Sequence, residues 1–138
     1  MAGTKAPVTS EFSLEARVAG GPHAASRARR LIQDELEPRL PPAMLADVVL
    51  LVTELVANGV WHGGAGEEAT LRVRVEGEAG AVRVEVDNPD PDAGGVPAQR
   101  DPDLTGGGGL GLHIVERVAA RWGVRSAPRT TVWFELDR

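Results

Sequence analysis

From Phe12 to Val18 the apolar residues Phe12, Leu14, Ala16 and Val18 fall at every second position, the period of a strand with one buried face. Gly20-Gly21 ends this stretch, and Pro22 suits the first turn of a helix. Ala24, Ala28, Leu31, Ile32 and Leu36 then keep a helical period as far as Pro38. The Pro41-Pro42 pair opens a second helix running to about His62. Its apolar positions, Met44, Leu45, Val48, Val49, Leu51, Val52, Leu55, Val56 and Val60, cover most of its surface, so it is predicted to be largely buried. Gly63-Gly64 stops it.

Two alternating segments follow. Leu71, Val73 and Val75 oppose Arg72, Arg74 and Glu76, and after a Gly77–Gly80 turn Val82, Val84 and Val86 oppose Arg83 and Glu85. This is the pattern of an antiparallel hairpin with one buried face. Asn88 to Gly109 is rich in Pro, Asp and Gly, and a segment of that length in a compact domain reads as a lid or binding loop. A third helix is expected over Leu110–Arg121, with Ile114, Val115, Val118, Ala119 and Trp122 inward. Two strands close the chain, about Gly123–Ser126 and Thr130–Leu136. The order predicts an α+β two-layer sandwich, a mostly antiparallel mixed sheet with helices on one face.

The chain has 138 residues and a soluble globular balance, 42% apolar and 25% charged, which suits a single domain over 11–138 after a flexible start at 1–10. Net charge is −5 with both signs interspersed, which argues against nucleic acid or an anionic membrane as the main partner. The absence of cysteine excludes disulfides, thiolate catalysis and cysteine-based zinc sites. Met1 to Ser10 carries no apolar secretory stretch, and Asp47, Glu54 and Asn58 interrupt the apolar run Ala43–Val60, so no membrane span is read there. The expected location is the cytoplasm.

Three groups of residues bear on chemistry. Glu54, Asn58 and His62 sit four apart and stack on one helix face. Polar groups on so apolar a helix cost roughly 1–3 kcal/mol each when left unpaired. Either they satisfy one another internally, with His62 closing the helix end, or they serve a ligand: Glu54 as a proton acceptor, Asn58 as an oxygen ligand to a hard cation such as Mg2+. Gly106-Gly-Gly-Gly-Leu-Gly111 runs directly into a helix. Bare glycine admits close backbone approach and a helix start favours anions, so a phosphate chain is the natural guest and a plain flexible loop the competing reading. Val86-Asp87-Asn88-Pro89-Asp90 ends a strand, where carboxylate or amide oxygens accept from an exocyclic amine such as that of adenine, or simply make a turn.

Gly106, Gly108 and Gly111 also satisfy G-x-G-x-x-G, but they follow a polar loop rather than a strand, and no acidic residue stands about 20 positions on to hold a ribose. The Walker pattern is absent, and the only lysine is Lys5. His23 and His113 have no nameable partner. Trp61, Trp122 and Trp133 read as packing residues.

In this order, the three groups resemble the GHKL (gyrase–histidine kinase–MutL) ATP-binding superfamily. The likeness is nearest to its anti-sigma-factor serine/threonine kinases and related single-domain ATP-binding regulators of actinobacteria. Glu54-Leu-Val-Ala-Asn58-Gly-Val-Trp-His62-Gly63 is similar to the family's E-L-V-x-N-A-x-x-H-G. Gly107-Gly-Gly109-Leu-Gly111-Leu-His-Ile-Val is similar to its glycine-rich motif, and Ala120-Arg-Trp-Gly123 with Thr130-Thr-Val-Trp-Phe-Glu-Leu136 to its ending. The resemblance spans about residues 12 to 137 and implies the Bergerat-type ATP-binding fold, with ATP and Mg2+ as cofactors. It implies Glu54 as the base that activates an attacking hydroxyl and Asn58 as the Mg2+ ligand. Gly107, Gly109 and Gly111 would line the triphosphate, flanked by Leu110, Leu112 and His62. Thr130 would help bind adenine, and Asp90 to Gly108 would be the lid. The implied partners are a sigma factor and an antagonist protein phosphorylated on serine or threonine, and the resemblance allows a homodimer.

The second motif departs from the family's V-x-D-x-G-x-G, whose aspartate accepts from adenine. Strand parity from Val84 and Val86 puts Asn88 on that face, unless the strand shifts and Asp87 serves. A neutral acceptor contributes roughly 0.5–1.5 kcal/mol against about 1.5–3 for a charged one, so ATP affinity is expected to be up to about tenfold below that of an aspartate-bearing relative. The same departure motivates the alternative of a nucleotide-sensing module without turnover.

Overall fold

A computed structural model of the chain describes residues 11–61, 68–88, 112–125 and 129–138. The elements run β1 (Phe12–Ala19), α1 (Ala24–Leu36), α2 (Pro42–Trp61), β2 (Thr70–Gly77), β3 (Ala81–Asp87), α3 (Leu112–Val118), β4 (Arg121–Arg125) and β5 (Thr131–Asp137). The strands form one five-stranded sheet in the order β1-β2-β3-β5-β4. Every pairing among the described residues is antiparallel, so the expected mixed character does not occur there.

Local chemistry explains the corners. Gly21 turns the chain between β1 and α1 at φ 94°, a left-handed value that side chains other than glycine rarely adopt. At the end of α1, Leu36 accepts from the N–H groups of Arg39 and Leu40 at 2.9 and 3.1 Å. Pro42 begins α2, where its missing N–H costs nothing, and the carbonyl of Pro41 accepts from Leu45 N–H at 2.9 Å.

One face of the sheet carries Leu71, Val73 and Val75 from β2, Val82, Val84 and Val86 from β3, and Val132, Phe134 and Leu136 from β5. These pack with Ala28, Ile32 and Leu36 of α1 and with Val48, Leu51, Val52, Leu55 and Val56 of α2 in one core. By length and composition alone α2 is apolar enough over Pro42–Val60 to cross a membrane. It packs instead against both α1 and the sheet, which explains its apolar girth. Among its described residues, Pro42, Ala43, Ala46, Asp47 and Leu50 are the exposed ones.

The other sheet face is a lattice of charge. Arg72 stands opposite Asp87, Arg74 opposite Glu85, and Glu76 opposite Arg83. Arg83 also stands opposite Glu135 and pairs with it at 2.9 Å, and Glu135 in turn meets Arg121 at 2.6 Å. Exposed ion pairs are individually weak, but these set the register. Sliding β3 by two residues against β2 would oppose either Arg74 to Arg83 or Glu76 to Glu85, and like charges directly opposite are destabilising. Trp133 lies on this face, 4.4 Å under the guanidinium of Arg83 and over Gly123, whose bare Cα makes room for the ring.

The last helix is shorter than its hydrophobic period implies. Ala119 still donates to the carbonyl of Val115 at 2.8 Å, but Ala120 donates to Glu135 of β5 at 2.8 Å and so has joined the sheet. Trp122 therefore sits in β4 opposite Phe134 rather than on α3. At the far end of the sheet Arg138 donates its N–H to Gly80 at 3.0 Å and its guanidinium to Glu11 at 2.5 Å.

Phe134 is fully buried whereas Leu50 is 41% exposed. Phe134→Ala should cost about 3–5 kcal/mol in urea unfolding, and Leu50→Ala no more than about 0.5 kcal/mol. Equal losses would contradict this burial pattern.

Candidate functional site

Helix α2 is buried on two sides, yet Glu54 and Asn58 lie one turn apart on it and are only half-buried. Nδ2 of Asn58 is itself buried and has no hydrogen-bond partner among the described residues. An orphaned donor of this kind is costly unless something outside the chain supplies an acceptor. A phosphate oxygen or a metal-bound water would do so. The internal-network reading of this stripe thus leaves a donor unmet among these residues.

One residue beyond Asn58, Gly59 brings the helix against the sheet. A Cβ at this position would lie 2.5 Å from Cδ2 of Leu71 and 2.8 Å from Oδ1 of Asn88. Glycine inside a helix is less stable than alanine by roughly 0.5–1 kcal/mol, and here that loss is exchanged for close approach. The side chain of Asn88 therefore points to the helix layer, beside the Glu54–Asn58 face. Its backbone N–H donates to the carbonyl of half-buried Thr130 at 2.8 Å. The end of β3, the entry to β5 and the last turns of α2 converge in this way.

Asp87 faces the opposite side. It is 2% exposed and accepts from Thr131 Oγ1 at 2.7 Å and from Arg72 at 2.7 and 3.1 Å, with Arg74 3.5 Å away. Burial by itself would raise its pKa, but the hydrogen bonds from Thr131 and Arg72 and the charge of Arg74 outweigh it and hold the carboxyl below its ordinary range. Its carboxylate is thus engaged on the face away from Gly59.

Leu112 opens α3 and is buried in the core, and α3 packs on α2 and β4. His113 is exposed. His62, the glycines from Gly106 to Gly111, Leu110 and the lid Asp90–Gly108 lie outside the described residues, and with them the phosphate-facing half of the expected site. Two participants lie beyond what the sequence pattern singles out. Gly59 carried a signal in standing mid-helix where alanine is favoured, and Thr131 carried one in sharing the outward parity of Asp87 across β5.

The family model for the histidine kinase-like ATPase domain matches residues 18–136. This chain belongs to that family. Membership covers α2, the β3 end and the β5 entry together and implies ATP binding, which accords with the orphaned donor on Asn58. Among solved structures, a chain of the SiaB–SiaC complex from Pseudomonas aeruginosa is similar to this histidine kinase-like ATPase domain. The TM-score is 0.58 at 17% identity, over 91% of this chain and 88% of that one, a likeness of fold. No curated protein matches the sequence.

Because the folded-state pKa of Asp87 is depressed, its contribution to stability is present above the unfolded carboxyl value of about 4 and is lost as pH falls through the folded value. Asp87→Asn should therefore cost roughly 1–3 kcal/mol at pH 7 and progressively less on acidification. Urea unfolding of both proteins at pH 7 and at about pH 3 measures this, and an equal gap at both would exclude the role given to the clamp.

Proposed function

We propose that this chain is a cytoplasmic Mg-ATP-dependent regulator of transcription that binds a sigma factor and phosphorylates a serine or threonine on an antagonist protein. The observation that carries the reading is the pair Glu54 and Asn58, one turn apart, with a buried amide donor awaiting an acceptor. Family membership supplies ATP. That the similar solved chain comes from a complex of two proteins supports a protein partner.

In this reading Asn58 would hold Mg2+ through its oxygen, leaving its nitrogen to donate to a phosphate oxygen or a bound water. Mg2+ bound there would supply charge neutralisation to the phosphates. Glu54 accepts the proton of the attacking hydroxyl, a contribution of roughly 10²–10⁴-fold. Asn88 and Thr130 meet the base, and the glycines from Gly107 to Gly111 line the triphosphate. Most of the catalysis is then positioning and charge stabilisation.

A second reading keeps the nucleotide and drops the transfer. It is favoured by Asn88, a neutral group where the resembled motif carries an aspartate. Glu54→Ala separates the two. Incubated with labelled ATP and candidate antagonists, wild type should transfer label while the variant binds ATP within a few-fold of wild type and transfers at least about 10²-fold more slowly. Full transfer by the variant removes Glu54 from its role, and binding without transfer by wild type leaves the sensing module.

A further inference from the structure

We propose that Asn88, seated on Gly59, reads the purine with an amide and so admits guanosine as well as adenosine triphosphates. This rests on the reading of the cleft as a nucleotide site and adds to it the class of base accepted.

Residue 88 is the position on the β3 end that turns to the helix layer. Asp87 cannot replace it without a one-residue slip of β3. Such a slip turns every side chain of the strand over, bringing Arg83 and Glu85 into the core and expelling Val82, Val84 and Val86. It would also break the bonds to Arg72 at 2.7 Å and Thr131 at 2.7 Å. The register therefore presents an amide, not a carboxylate, beside Asn58.

Gly59 gives that amide its seat. The volume a Cβ would occupy lies 2.8 Å from Oδ1 of Asn88, so the amide takes up the space that the missing side chain leaves open. The backbone N–H of Asn88, held by Thr130 at 2.8 Å, fixes where the side chain starts. Location is thus set, and orientation is left to the ligand.

The consequence follows from donor and acceptor inventories. An ionised carboxylate only accepts, whereas an amide both accepts and donates. At C6 adenine carries an amine, a donor, and guanine a carbonyl, an acceptor. A carboxylate there would take adenine and repel guanine. With Oδ1 toward Gly59, the amide takes guanine through Nδ2 and, turned over, adenine through Oδ1. A site that hydrogen-bonds one edge strongly rejects the analogue lacking it, and an amide gives up that rejection.

Calorimetric titration of the full chain with Mg-ATP and Mg-GTP tests this, with circular dichroism to confirm folding. Wild type should bind the two with dissociation constants within about tenfold, the worth of roughly one neutral hydrogen bond. Asn88→Asp should move the ratio at least about tenfold toward ATP, while Asn88→Ala should weaken both nucleotides and leave their ratio near that of wild type. A wild-type preference for ATP above tenfold, or an Asn88→Asp ratio equal to that of wild type, overturns the inference and leaves the nucleotide reading standing. Binding of neither nucleotide overturns both.

Discussion

The ion pair of Arg72 with Asp87, completed by the hydroxyl of Thr131, ties β2, β3 and β5 together at the end of the sheet where the cleft forms. Its energetic content is ordinary for a hydrogen-bonded pair with one buried partner. Its structural content is larger, because a strand has only two faces and one residue of slippage exchanges them. With Asp87 fastened outward, Asn88 has one direction left, toward α2. The opposed charges farther along, Arg74 with Glu85 and Arg83 with Glu135, exclude the two-residue slips that the valine pattern alone would tolerate.

Helix α2 works under opposite demands. As the centre of the core it is apolar around most of its girth, with Val48, Leu51 and Val52 fully buried. Toward its C-terminal end the same helix presents Glu54 and Asn58. The conflict is resolved locally: Gly59 removes bulk where the sheet comes closest, and one amide donor on Asn58 has no acceptor among the described residues. Folding thereby leaves the cleft with one buried donor unmet among the described residues.

Much of this was legible in the sequence, for identifiable reasons. Valines at every second position fixed both strands of the hairpin, and their parity alone put Asn88 on the helix side. The long apolar run of α2 announced a core helix, and its polar stripe marked Asn58, whose amide donor is unmet among the described residues. What stayed hidden depends on distances between elements. That Gly59 touches Asn88 needs the spacing of α2 from β3, which no local pattern encodes. The partners of Asp87 looked like generic outward-facing charge until the register paired them. The α3–β4 junction misled because Val118 and Trp122 are four apart and so fit a helix, whereas the hydrogen bond from Ala120 to Glu135 had already committed the chain to the sheet.

The clasp at Arg138 couples two strands that do not pair with each other. Glu11 and Arg138 meet beside Gly80, at the end of the sheet opposite Asn88 and Thr130. Glu11 and Arg138 are thereby both held to the one β2–β3 turn at 77–80. Loosening that turn would therefore free the outer ends of β1 and β5 together, although the two strands are not neighbours in the sheet.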